Sequence, residues 1–282
     1  MTTRTGVSDD MPTDRPSVAR MYDYLLGGYH NFASDRTAAD AATALYPDFP
    51  RVMQANRTFL RRGVEFLVAQ GIEQFLDLGS GIPTAGNVHE VVHELNPAAR
   101  VVYVDRDPVA VIQSKTLLRD NPAVTVIQAD VSQPEALLGH PDVTRLLDLH
   151  KPLAVLLVAL LHFVTDDTEA HRLTRTLRDV MAPGSYLVIS HATEDGVAPE
   201  TVRQLTDLYT RSSTATKGRS ADEIATFFTG LDMVEPGLVY TPLWRPESPD
   251  DLFLDHPERA IAYAGVGRKP SSPIHDSSGM AP

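Results

Sequence analysis

The spacing of apolar residues changes at about residue 73. Before that point Val18, Met21, Tyr22 and Leu25 recur at helical spacing in PSVARMYDYLLGG, with Ser17 placed to cap the start and Gly27-Gly28 to end it. A second, short helix is predicted after Ser34. A longer one runs from about Phe49 to Gln70, where Val52, Phe59, Gly63, Phe66 and Leu67 share a face and Gly71 stops the helix. Beyond residue 73 come short apolar runs, QFLDL, VVYVD, TVIQAD, LAVLLVAL and SYLVISH, separated by helical stretches. Runs without polar alternation predict strands buried on both faces, hence a parallel sheet between two layers of helix. Further helices are predicted from Pro199 to Thr210 and from Ser220, where SADE fits a capping box. The runs GLVYTPL and AIAYAGVGR have no clear helix between them and are expected to pair as an antiparallel hairpin.

The expected fold is therefore α/β and doubly wound. A helical cap occupies residues 16–72, and residues 73–269 form a Rossmann-like core with a helical insert at about 197–230. Residues 1–15 and 270–282 are polar and predicted to be disordered.

Composition narrows the chemistry. The 282 residues include no cysteine, which removes disulfides, thiolate metal sites and cysteine nucleophiles. The start lacks an apolar signal core and no apolar run is long enough to span a bilayer, so a cytoplasmic protein without a membrane partner is expected. The formal charge of -12, with no cluster of Lys and Arg, gives no driving force for nucleic-acid binding.

Candidate chemistry lies at the strand ends. FLDLGSGIPTAG runs from a strand through a glycine turn into a helix, where backbone can approach a ligand closely and free N–H groups point outward. A dinucleotide fingerprint would need glycine at Thr84, so a pyrophosphate is not demanded. Asp105, ending VVYVD, can accept from both hydroxyls of a ribose, whereas Asp107 before Pro108 reads as a helix cap. Asp130 in QAD can accept from an exocyclic amine or can simply close a turn.

These motifs, LDLGSG, YVDRDP, QAD and the end of LAVLLVALLH, resemble in order and spacing those of S-adenosylmethionine-dependent methyltransferases with a seven-stranded Rossmann-like core. PSVARMYDYLLGGYHNFASDR and GSGIPTAGNVHEV are more narrowly similar to a bacterial S-adenosyl methyltransferase subfamily of unknown function, from about Pro16 to Arg268. Tyr29-His30 departs from its pattern.

The resemblance implies S-adenosylmethionine as cofactor. It implies that Gly79, Ser80 and Gly81 line the methionine part, that Asp105 with its neighbour Arg106 holds the ribose, and that Asp130 with Val131 frames the adenine. Ala159, Leu160 and the residues up to His162 would border the methyl group and the acceptor. Tyr22, Asn31 and Arg57, on the cap, are further cofactor candidates. His162 is the candidate base by location and His191 the second; Tyr22, Tyr24 and Tyr29 could face a cation or shape an apolar pocket. A small-molecule acceptor is expected from the enclosing cap.

One motif points elsewhere. His89-Glu90-Val91-Val92-His93 has the letters of a zinc peptidase helix, but Asn96 and Ala99 stand where its extended form needs glycine and histidine, and a buried strand follows. The expected role is packing through Val88, Val91, Val92 and Leu95, with no metal. Two rival readings remain from the residues alone: a nicotinamide-dependent oxidoreductase, and a cofactor-binding protein without turnover.

Overall fold

A computed structural model of the chain describes residues 13–83, 86–212 and 214–271. Most of the two terminal stretches predicted to be disordered, and Thr84 of the glycine turn, lie outside the described residues.

In chain order the elements are α1 (Val18–Leu25), α2 (Ala33–Leu45), α3 (Phe49–Ala69), β1 (Gln74–Leu78), α4 (Val88–Leu95), β2 (Arg100–Asp105), α5 (Pro108–Leu118), β3 (Val124–Gln128), α6 (Pro134–Leu138) and α7 (Pro141–Leu146). They continue with β4 (Ala154–Val158), α8 (Asp167–Val180), β5 (Tyr186–Ala192), α9 (Pro199–Ser212), α10 (Ala221–Ala225), β6 (Asp232–Met233), β7 (Val239–Tyr240) and β8 (Ala262–Arg268). The sheet runs β3-β2-β1-β4-β5-β8-β6, with β7 also paired to β8. The first five strands are parallel, and β8 is antiparallel to β5, β6 and β7.

One apolar layer covers each face, as the unbroken runs require. Phe59, Val64 and Leu67 of α3 and Val88, Val91 and Val92 of α4 pack on Phe75, Val101, Leu156 and Val188. On the other face Leu76, Val102, Val155 and Leu187 meet Leu173 and Leu177 of α8, together with Phe227. Leu95 differs from expectation: it stands exposed at the last position of α4, where the chain turns into Asn96-Pro97.

The sheet contains one strand more than the expected seven. β6 is two residues long and carries no readable period. GLVYTPL contributes only Val239–Tyr240 before Pro242, which has no N–H to donate, turns the chain into a 3₁₀ turn. Its antiparallel pairing with the last strand holds, Val239 opposite Ala264, but residues 241–261 intervene, so the pair is not a tight hairpin.

The helices before β1 are bonded to the strand ends. Ser17 occupies the N-cap position of α1, yet its side chain does not cap: the hydroxyl donates to Asp107, which caps α5 through the N–H groups of Val109 and Ala110. Arg20, buried, pairs with Asp35 at 2.8 Å and reaches Asp107 at 3.3 Å.

Candidate functional site

Following β1, the chain reverses at Gly79 and Gly81, both with positive φ (+72° and +65°). At Gly79 a Cβ would also lie 2.6 Å from Leu160 Cδ1, so the glycine is required by the neighbouring side chain as well as by the backbone. Gly79 N–H donates to the Val104 carbonyl at 2.8 Å, holding the turn against β2.

Asp105 ends β2 with both carboxylate oxygens already oriented: Oδ2 accepts from Gly81 N–H and Oδ1 from Asp107 N–H, each at 2.8 Å. Burial raises its pKa, opposed by those two hydrogen bonds. Asp130 Oδ1 closes a turn by accepting from Ser132 N–H at 2.9 Å, the plain reading of a strand-end aspartate. Its second oxygen takes no bond among the described residues.

The turns at the carboxyl ends of β1 to β5, with α1, α3 and α9, line a cavity of about 780 Å³. Its lining includes Tyr22, Arg57, Gly79, Ser80, Gly81, Asp105, Arg106, Asp130, Val131, Ala159, Leu160, His162 and His191. Asn31 is not brought there: its side-chain amide donates to Asp23 and to the Gly28 carbonyl. Nor are Tyr24, whose hydroxyl bonds Asp40, and Tyr29, which is exposed beside His30.

Two features of the wall are hard to see in the sequence. Asp77, next to last in β1, is buried at the cavity, and burial pushes its carboxyl up to about 7 against the pull of the Arg57 guanidinium. Arg57 stacks over Tyr22 at 5.5 Å, and its Nε is buried with no hydrogen-bond partner among the described residues. An orphaned cationic donor in a cavity fits an anionic ligand group.

The second feature is a relay. Ala159, at φ +55°, donates its N–H to Ser190 Oγ at 2.9 Å; that hydroxyl donates to Asn56 Oδ1 at 2.5 Å. Asn56 Nδ2 donates to Tyr22 Oη at 2.9 Å, and Tyr22 to the Met53 carbonyl at 3.2 Å. The signal for Asn56 was a polar residue on the apolar face shared by Val52 and Phe59. For Asp77 it was an acid inside an apolar strand.

The histidines separate by their bonding. His191 Nδ1 lies 2.7 Å from its own neighbour's carbonyl, Ala192 O, and Nε2 lies 2.9 Å from the Arg219 guanidinium. Burial lowers the ring to about 4, so it is neutral, and with both nitrogens engaged its lone pair is directed at the guanidinium. His162, half-buried, lines the cavity. Burial, then the neighbouring His191 and Arg219, hold it well below the usual range. Its Nδ1 receives a long contact from Ala192 N–H at 3.5 Å, which favours the proton on Nε2.

The HEVVH helix is accounted for by packing. Glu90 closes a capping box with Asn87, His89 Nδ1 bonds Tyr103 Oη at 2.8 Å, and His93 Nε2 lies 2.9 Å from the Ala99 carbonyl. Among the described residues no group of three or more His, Cys, Asp or Glu side chains could hold a metal. None of their helices is long and apolar enough to cross a membrane.

The position of Asp77 has a testable consequence. An acid whose folded pKa is raised keeps its proton where the unfolded chain has lost it, so stability falls as pH rises from the ordinary value of 3.8 towards about 7. The stability difference between Asp77→Asn and the wild type is expected to move in favour of the variant across that window and then level off. Urea unfolding at several pH values measures it; a difference independent of pH would show that Asp77 is ionised throughout.

Comparison with known proteins agrees with this geometry. A crystal structure from Thermobifida fusca, assigned there as a methyltransferase, shares 41% identity over 94% of this chain and all of its own, with a TM-score of 0.86. A Streptomyces avermitilis protein described as DUF574 family gives 36% identity over 92% and 99% of the two chains, again at 0.86. No curated protein matches. A family model described as S-adenosyl methyltransferase matches residues 4–270, nearly the whole chain. With that span matched, and with Asp105 and a glycine turn facing one cavity, the chain belongs to the S-adenosyl methyltransferase family and its cofactor is S-adenosylmethionine.

Proposed function

We propose that the chain is a cytoplasmic enzyme that methylates a small molecule held inside this cavity. The observation that supports the reading is that the residues proposed for the cofactor and for the acceptor line one cavity under α1, α3 and α9. Such a space suits a small ligand rather than a macromolecular surface. The nicotinamide alternative falls with the family assignment.

When bound, S-adenosylmethionine supplies a methyl group on a positively charged, already activated sulfur. The chain's own residues then have three tasks. Asp105, with Arg106 beside it, holds the ribose, while Asp130 and Val131 frame the base. Gly79, Ser80 and Gly81 accommodate the methionine chain, and Arg57, oriented on Tyr22, receives its carboxylate. Ala159 and Leu160 border the transfer point, where His162 serves as a neutral hydrogen-bonding wall. Catalysis here is positioning and exclusion of water, for which the residue 16–72 cap acts as the lid.

Calorimetric titration with S-adenosylmethionine and, separately, NAD tests the site: saturable binding of the first alone is expected. Incubation with a metabolite extract then tests turnover. Binding without any release of S-adenosylhomocysteine would identify a non-catalytic binding protein instead.

A further inference from the structure

The cavity differs along its length. Asp105, Asp130 and the glycine turn stand at the ends of β2, β3 and β1, at one side of the sheet. Most of the charged groups in the lining gather there. Asp77 lies near Arg57, Arg20 reaches Asp107 and the Arg15 carbonyl, and Arg106 follows Asp105. Asp166 and Glu169 open α8, whose Arg172 donates to the Ser132 carbonyl just past β3. Glu194, after β5, is the other carboxylate of the lining, and it is exposed.

On the other side, over β4, β5 and β8, the wall is apolar. Met53, Phe163, Val202, Leu205, Tyr209 and Ile261 line the cavity there, and each is only half-buried. Val202, Leu205, Thr206 and Tyr209 recur at helical spacing, so one face of α9 borders this space. The Tyr209 ring lies 6.3 Å from that of Phe49 and 6.2 Å from that of Phe163. Neighbouring hydroxyls are taken: Ser190 donates to Asn56, Thr193 accepts from Asp195 N–H, and Thr216 donates to the His162 carbonyl. The hydroxyls of Thr206 and Tyr209 have no hydrogen-bond partner among the described residues.

From this wall we infer that the methyl acceptor is an apolar, ring-bearing molecule that carries a hydrogen-bonding oxygen such as a carbonyl, and that Thr206 and Tyr209 select it. The inference rests on the methyltransferase reading of the same cavity. Apolar side chains left half-exposed inside a cavity lose their contact with water when an apolar occupant enters, and that loss is favourable. Aromatic side chains add edge or offset contacts with a ring. A tyrosine hydroxyl in an apolar wall needs a partner, and an oxygen on the acceptor supplies one. Burial raises the Tyr209 phenol, so it stays a neutral donor. A sugar or other polyol would leave most of its own hydroxyls unpaired against this wall, at a cost for each. The two α9 residues thus act on which molecule is held, while the strand-end turns act on the cofactor.

Binding, rather than turnover, tests this wall. Protein saturated with S-adenosylhomocysteine is titrated with 2-acetylnaphthalene, with its hydrocarbon isostere 2-isopropenylnaphthalene, and with sucrose. Both naphthalenes are expected to bind saturably and sucrose not at all. The ketone is expected to bind about three- to tenfold more tightly than the hydrocarbon, the scale of one neutral hydrogen bond. Tyr209→Phe keeps the ring and should remove most of that preference; Thr206→Val keeps the shape and should reduce it. Retained binding of S-adenosylhomocysteine reports that each variant is folded. Equal or tighter binding of the hydrocarbon, a preference unchanged in both variants, binding of sucrose ahead of the naphthalenes, or no binding of either naphthalene would overturn the inference. Failure of S-adenosylhomocysteine to bind the wild type would instead count against the methyltransferase reading.

Discussion

Asp105→Asn is expected to weaken S-adenosylmethionine binding by about a hundredfold or more. Two hydrogen bonds from ribose hydroxyls to an ionised acceptor contribute about 1.5–3 kcal/mol each, and about 1.4 kcal/mol is a factor of ten. Asparagine cannot substitute, because both carboxylate oxygens already accept from backbone N–H groups, those of Gly81 and Asp107. An amide must turn its NH₂ towards one of them, so the glycine turn is disturbed along with the ribose contact. The same acid sets a pH dependence: burial raises its pKa, so affinity is expected to fall as pH drops through that raised value and the acceptor is protonated. Calorimetry on the wild type and the variant measures both effects. An affinity within about threefold of wild type would remove Asp105 from the ribose site.

Arg57→Met is expected to weaken the same cofactor by about 10- to 100-fold, the loss of one charge-assisted hydrogen-bonded pair, while retaining the stem that lies over Tyr22. The discriminating ligand is 5′-methylthioadenosine, which has the adenosine and a methylated sulfur but no carboxylate. Its affinity should be unchanged in the variant. A parallel loss for both ligands would mean that Arg57 shapes the cavity or steadies Asp77 and does not hold the carboxylate.

How far the sequence carried this reading depended on the kind of signal. The parallel strands were legible because burial on both faces leaves an unbroken apolar run, and α1 to α3 because one face is periodic. β6 and β7 were not, since two residues carry no period. The position of Gly79 and Asp105 at the cavity was legible because Gly79 follows β1 directly and Asp105 ends β2. Asn56 and Ser190 meet at 2.5 Å from 134 residues apart, a convergence that local spacing cannot express. Asn31 looked equivalent to Tyr22 in the cap, yet its amide is taken by Asp23 and a carbonyl. His191 looked like a base by position, yet its two nitrogens are taken by the Ala192 carbonyl and the Arg219 guanidinium.

The relay from Ala159 to Met53 draws on four separate stretches of chain: α1, α3, the end of β4 and β5. No fragment contains it until synthesis has passed residue 190, and a chain lacking α1 leaves Asn56 without its Tyr22 partner. The binding pocket is thus completed late, by the same contacts that close the folded state. A molecule that fits it binds the native chain and not the unfolded one, and so adds RT ln(1 + [L]/Kd) to stability by mass action. The concentration of cofactor in the cell would then set how much of this protein survives, as well as how fast it works.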